Sequence, residues 1–234
     1  MEKKQLQLQP RLQLLAELVP VGARLADIGT DHGYLPVWLL QRGRIASAIA
    51  ADVGQEPLQH AVRTAEEYGV AGVEFRLCDG LNGVSADEVD TVVIAGMGGE
   101  TIIHILEQAP WAKETKKYTL LLQPMTKVGE LRRWLADNGY CFTDERLVWD
   151  KAFLYPVLIV TGGRQESLTT LQQEYGVHMK NDPLYGDYLT REISRLRRTI
   201  VGKRQADDPL VQQQADDLEK LCGELEELRK ETNK

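Results

Sequence analysis

No stretch of this 234-residue chain approaches the roughly 20 consecutive apolar residues that a membrane-spanning helix requires. Cysteine is scarce: Cys78, Cys141 and Cys222 are three in number and none stands in CxxC spacing. Such an odd, scattered set supplies neither a disulfide framework nor a zinc site and points to a reducing compartment. The opening residues Met1-Glu2-Lys3-Lys4-Gln5 lack the apolar core of a secretory signal, so a cytoplasmic location is expected. Internal repeats and low-complexity tracts are also lacking. No excess of positive charge exists overall; the formal net charge is −7. That argues against indiscriminate coating of nucleic acid but leaves room for a local basic surface. His60, His104 and His178 have no partners at ligand spacing, so no metal is expected.

What is present is ordinary globular composition, 43% hydrophobic and 27% charged, enough for one full α/β domain and a smaller appendage. Residues 11–19 have helical apolar spacing and stop at Pro20. Short strands follow over 24–28, 47–52 and 73–77, and almost continuous apolar runs over 89–95 and 118–123 read as parallel strands covered on both faces. Helices are expected near 35–41, 57–68, 101–108 and 127–138, then an antiparallel hairpin over 140–149 and 153–161. Alternating β and α with a terminal hairpin predicts a doubly wound, Rossmann-like seven-stranded sheet with one reversed strand, which is the shape of the class I methyltransferases.

After Gly162-Gly163 the pattern changes. Leu189, Ile193, Leu196 and Ile200 recur at helical spacing, as do Val211, Ala215, Leu218, Leu221, Leu225 and Leu228 beyond the break at Asp207-Asp208-Pro209. This predicts an antiparallel helical hairpin resembling a coiled coil. The reading is of two domains, 1–163 and 164–234.

The most informative segment is Asp27-Ile-Gly-Thr-Asp-His-Gly33 at the end of the first strand. A tight strand-to-helix turn needs glycines so that backbone can approach a ligand. A dinucleotide fingerprint would read G-x-G-x-x-G and hold a diphosphate. Here Asp31 occupies the place of the middle glycine in D/E-x-G-x-G-x-G, which suits a ligand with a sulfonium and an amino group. Asp52, followed by Val53, lies at the tip of the second strand, where a carboxylate grips ribose hydroxyls. Asp79-Gly80 follows the third, where a carboxylate accepts from an adenine amino group. Ala95-Gly96-Met97 ends the fourth, leaving room for a methionine moiety. Asp27, Gly29, Thr30, Asp31, Gly33, Asp52, Val53, Asp79, Gly80, Ala95, Gly96 and Met97 are therefore expected to surround S-adenosyl-L-methionine.

The segments Ala26-Asp-Ile-Gly-Thr-Asp-His-Gly-Tyr-Leu-Pro36, Gly80-Leu-Asn82 and Ile94-Ala-Gly-Met-Gly-Gly99 resemble those of the bacterial TrmK-type tRNA methyltransferases, along nearly the whole chain. The resemblance implies methylation of N1 of the adenine at position 22 of tRNA, a C-terminal helical hairpin, and an opening helix to which Arg11-Leu12 is similar. It also implicates the Asp31-His32 position in activity.

Adenine N1 has an in-plane lone pair and needs no deprotonation before attack, whereas its product carries positive charge. A carboxylate near that edge would stabilise the charge, and Asp31 is the candidate catalytic residue. The competing reading makes it a helix cap. His32, Tyr34 and Gln123 are candidates for facing the target base. Residues 187–204 carry six basic and two acidic side chains, a net of +4, and residues 207–230 a net of −5. Arg191, Arg195 and Arg198 are expected to touch phosphate; alternatively the two helices merely complement each other. A Rossmann oxidoreductase, a binding module without turnover, and a methyltransferase with another acceptor are the competing functions.

Overall fold

The computed structural model describes residues 5–232, so the reading of Met1–Lys4 lies outside the described residues. Helix α1 (Pro10–Leu18) precedes β1 (Arg24–Ile28), α2 (Tyr34–Gln41), β2 (Ser47–Asp52), α3 (Gln55–Glu67) and β3 (Val73–Leu77). Then come β4 (Thr91–Gly98), α4 (Gly99–Glu107), β5 (Thr119–Thr126), α5 (Val128–Asp137), β6 (Tyr140–Asp150) and β7 (Phe153–Gly162). The seven strands lie in the order β3-β2-β1-β4-β5-β7-β6, with β7 antiparallel to both neighbours and the first five strands parallel. The expected Rossmann-like sheet with one reversed strand is the one observed.

Pleating sends alternate residues of the apolar runs to opposite faces. Val92, Ile94, Leu120 and Leu122 pack under α4 and α5 with Ile102, Ile105, Leu131 and Leu135. Leu25, Val93 and Leu121 face the other way, toward Leu15 of α1, Leu35 and Leu39 of α2 and Ala65 of α3. The central strands run longer than hydrophobicity predicts. β4 continues through Ala95-Gly-Met-Gly98 and β5 through Pro124, pairing Ala95 with Gln123 and Met97 with Pro124 around a register irregularity. Gly96, at φ 77°, is the residue that this bulge requires.

Beyond β7 stand α6 (Thr170–Tyr175), closed by a Thr169–Gln172 capping box, then α7 (Tyr185–Arg204) and α8 (Pro209–Thr232). Helix α6 had no apolar periodicity long enough to announce it. The two long helices pair through Leu189, Ile193, Leu196 and Ile200 against Cys222 and Leu225, with Leu218, Leu221 and Leu228 half-buried alongside, and Ala215 of α8 is buried as well. Cys222 belongs to this seam and Val211 does not, a correction to the expected set. The same cluster continues through Tyr175, Met179 and Tyr185 to Leu147 of β6. At that junction Arg132 of α5 and Glu145 of β6 form a fully buried ion pair, 2.7 Å. Arg132 also donates to the carbonyls of Gln173 and Glu174, and Glu145 accepts from the amides of Val177 and His178. No helix among the described residues is long and apolar enough to cross a membrane.

Candidate active site

The β1–α2 turn has the backbone that its sequence predicts, with Gly29 at φ 72°, Asp31 at 48° and Gly33 at 66°. A Cβ on Gly33 would lie 2.9 Å from that of Ala61, so glycine is what lets α2 close on α3. The amides of Gly29 and Thr30 both donate to Ala51 O, at 2.8 and 3.0 Å, which fastens the turn to β2. Beneath it Asp27 is buried and accepts the Thr30 hydroxyl at 2.7 Å. Burial pushes its carboxyl up to about 6; the Thr30 bond opposes the shift and the Asp52 charge adds to it.

Asp31 is exposed and does not cap α2, whose N-cap residue is Gly33 with no side-chain bond. The Asp31 amide donates to Asp52 Oδ2 at 3.3 Å and the Gly54 amide to Oδ1 at 2.8 Å, so the Asp52 carboxylate is held by two backbone groups. The amide of Cys78 donates to Asp52 O at 3.0 Å, which brings Asp79 and Gly80 to the same edge. His32 Nε2 lies 3.8 Å from Asp31 Oδ2, and its ring stacks between Tyr34 (5.1 Å) and His60 (4.9 Å). His60 therefore does have partners, contrary to the expectation from spacing; a separation of 28 residues hid them. Asp31, His32 and His60 each bring one potential ligand atom within 4.8 Å of the others, and the two imidazole rings are parallel within 7°.

At the end of β4, Gln123 Oε1 accepts from the Gly96 amide at 3.1 Å and from Arg11 Nη1 at 2.8 Å. Gln123 Nε2 donates to Pro124 O at 3.1 Å, and the residue is fully buried. This corrects the expectation that Gln123 faces the target base: both ends of its amide are spent inside the protein. Its partner Arg11 crosses from α1 and also reaches Asp150 Oδ2 at 3.4 Å.

A cavity of about 300 Å³ gathers Asp27, Gly29, Thr30, Asp31, Ala95 and Gly96, closed by Arg11, His32 and Tyr34. Its wall also includes Gln9, the N-cap residue of α1, and Leu12 of that helix, neither of which was expected to line it. Met97 lies over Gly29, where an added Cβ would meet Met97 Cε at 2.1 Å. Asp52, Val53, Asp79 and Gly80 stand outside this cavity along the adjoining strand tips. There Val53 and Leu77 expose 74% and 54% of their surface, large apolar areas for solvent-facing side chains. Leu77 was missed because it reads as an ordinary strand residue. A buried acidic floor, a ribose-type carboxylate held by amides, and two exposed aliphatics together fit a cationic adenosine derivative.

A second, larger groove of about 830 Å³ lies between the β5–α5 loop, the β6–β7 turn and α7. Arg191, Arg195 and Arg198 line it. Arg191 stacks on Trp149 at 5.0 Å and donates to Ala152 O; Arg195 pairs with Glu192 at 2.7 Å; Arg198 donates to Ser194 O. Other cations of α7 turn to α8: Arg197 to Glu226 at 2.7 Å, Arg204 to Asp216 and Glu219, Lys203 to Gln214. Charge pairing across the hairpin thus accounts for Arg197 and Arg204, while Arg191, Arg195 and Arg198 stand on the groove side of α7.

Residues 8–158 match the model of a methyltransferase domain family. The tRNA (adenine(22)-N(1))-methyltransferase of Bacillus subtilis (strain 168) is 35% identical over 189 residues, covering 80% of this chain and 77% of that protein. The crystal structure of the B. subtilis m1A22 tRNA methyltransferase TrmK superposes with a TM-score of 0.84 at 31% identity, covering 96% of this chain and all (100%) of that one. M. capricolum TrmK, solved with the cofactor product S-adenosyl-homocysteine, gives 0.78 at 28% identity, covering 95% of this chain and 98% of that one.

Proposed function

Since the chain belongs to the family of the bacterial tRNA (adenine(22)-N(1))-methyltransferases, we propose that it transfers a methyl group from S-adenosyl-L-methionine to N1 of adenine 22 in tRNA. The observation that supports this most is the acidic corner itself: Asp27, Asp31 and Asp52 from two adjacent strand ends, joined through the Asp31 amide and the Ala51 carbonyl. Diphosphate ligands are repelled by such a corner and a sulfonium is attracted to it.

When bound, the donor supplies an electrophilic methyl whose transfer leaves a neutral thioether. Asp52 would hold the ribose hydroxyls, Val53 and Leu77 would flank the adenine ring, and Asp79 would accept from its amino group. Asp27, Gly29, Thr30, Gly33, Ala95, Gly96 and Met97 would shape the methionine end, and Gly80 would let the chain pass close beside Asp79 at the adenine end. The target base would enter past His32 and Tyr34, with its N1 lone pair in line with the breaking bond. Asp31 at the mouth stabilises the positive charge that spreads over the methylated ring. Arg11 spans Gln123 and Asp150 and lines the cavity.

Residues 1–163 act as the donor-binding domain and residues 164–234 as the RNA-contacting one. Arg191, Arg195 and Arg198 line the groove from which phosphates would be held. The place of action is the cytoplasm, a reading supported by the three unpaired cysteines. Incubation with total tRNA and methyl-labelled donor, followed by mapping of the modified nucleotide, tests the assignment. Label at adenine N1 is expected; label on an exocyclic amine, on another RNA or on protein overturns it.

A further inference from the structure

Adenine N1 lies on the pairing edge, so a paired target base must leave its stack before it can meet Asp31. The gap it leaves favours an apolar wedge, as in proteins that unstack base steps. Two aromatic side chains stand out among the exposed large hydrophobics of the described residues. Tyr34, 38% exposed, belongs to the cofactor mouth, whereas Phe153, 59% exposed, stands outside it. Phe153 occupies the rim of the 830 Å³ groove, with Met125, 40% exposed, on the same wall. We propose that Phe153 stacks into the space vacated by the target adenine and so holds that base out toward the cofactor cavity. The proposal rests on the tRNA-methyltransferase reading and adds the residue that exposes the base.

Three features of the tip suit this role. It is braced, as a wedge must be if ordering it is not to consume the energy of stacking. The two-residue turn Lys151-Ala152 joins strands of 11 and 10 residues. Arg191 packs on Trp149 and donates to Ala152 O at 2.9 Å, and the Phe153 ring rests 5.9 Å from that of Tyr155. It is also tied to the catalytic edge. Asp150, the cross-strand partner of Phe153, bonds Arg11; Arg11 bonds Gln123; and Gln123 bonds the Gly96 amide at the cavity wall. Finally, cations flank it, Lys151 before it and Arg191 against the turn, with Arg198 also lining a groove whose basic residues outnumber its glutamates Glu130, Glu174 and Glu192, an arrangement suited to the phosphates on either side of an extruded nucleotide.

The test uses the full chain, Phe153→Ala and Phe153→Trp, with tRNA carrying 2-aminopurine at the target position and tRNA with an abasic site opposite the target adenine. Binding of the unaltered protein should raise 2-aminopurine fluorescence severalfold, and Phe153→Ala should abolish most of that rise. The same variant should lose about 30-fold in kcat/KM on intact tRNA, the scale of one base–aromatic stack. Its donor affinity and melting temperature should not change. Phe153→Trp should restore both signals, and the pre-opened tRNA should return Phe153→Ala to within about threefold of the unaltered protein. A full fluorescence rise with Phe153→Ala, or an equal defect on intact and pre-opened tRNA, overturns the proposal. Absence of methylation of any tRNA by the unaltered protein would instead overturn the reading beneath it.

Discussion

The cofactor corner and the α7 groove of one molecule differ in electrostatic character, the first acidic and the second mixed with a basic surplus. The corner concentrates Asp27, Asp31 and Asp52, whereas the groove gathers Lys127, Arg191, Arg195 and Arg198 with Glu130, Glu174 and Glu192. A positively charged methyl donor and a polyanionic acceptor need environments of different sign, which is the division that the proposed roles of corner and groove would require. The same separation repeats on a smaller scale within α7. Arg197 and Arg204 are neutralised by carboxylates of α8, while Arg195 pairs with Glu192 of its own helix.

The largest effect expected from breaking this contrast is at Asp31. Asp31→Ala should lower kcat by about 10² to 10³, typical of removing one charge-stabilising group, while donor affinity measured by calorimetry changes little. Loss of donor binding in parallel would make Asp31 part of the corner's binding apparatus only. Asp52→Ala should do the reverse, weakening donor binding by roughly 10- to 100-fold for the charged hydrogen bonds lost, with tRNA affinity unchanged. On the groove side, Arg195→Glu with Arg198→Glu should weaken tRNA binding about tenfold at moderate salt and reduce the salt slope by about 2. Arg197→Glu with Arg204→Glu should lower the melting temperature and leave that slope alone. Equal slopes in the two double variants would erase the distinction between the faces of α7.

The smallest effect concerns Asp27. Its folded pKa of about 6 lies above the ordinary carboxylate value, so the native state binds this proton more tightly than the unfolded chain. Its contribution to stability is therefore present at low pH and is lost as pH rises from about 4 through 6. Asp27→Asn should raise the melting temperature of the ligand-free protein at pH 7, by roughly 1–2 kcal/mol of stability. Donor affinity should move the other way: it falls a few-fold in the unaltered protein as pH drops below 6, and that pH dependence vanishes in Asp27→Asn.

The corner was legible in the sequence because its parts are local. Each carboxylate sits at the end of its own apolar run, and glycine marks where the backbone must turn. Sheet topology brings those ends together without further information. The groove was legible only as a surplus of basic residues on α7, since which arginine meets α8 depends on helix rotation. Gln123 was misread for a related reason. In a strand covered on both faces, hydrophobicity has no period of two, so nothing in 118–123 says where the terminal amide points. Arg11, Gln123 and Asp150 meet across separations of 112 and 139 residues, and no single-sequence pattern encodes such a meeting. The extension of β4 through Gly96–Gly98 was hidden by residues of poor strand propensity, whose pairing with β5 is enforced by the sheet.

The buried Arg132–Glu145 pair gives the molecule a fixed internal ruler. Burial alone would lower the pKa of Arg132, but Glu145 and Tyr188 outweigh it and keep the guanidinium charged. Because the pair also grips backbone of residues 173–174 and 177–178, the segment leading to α7 is clamped to the sheet instead of trailing from it. The distance from the arginine-lined groove to the methyl-transfer mouth is then a constant of the fold. If phosphates are held in that groove, as proposed above, the clamp fixes how far along the strand the methylated nucleotide lies from them.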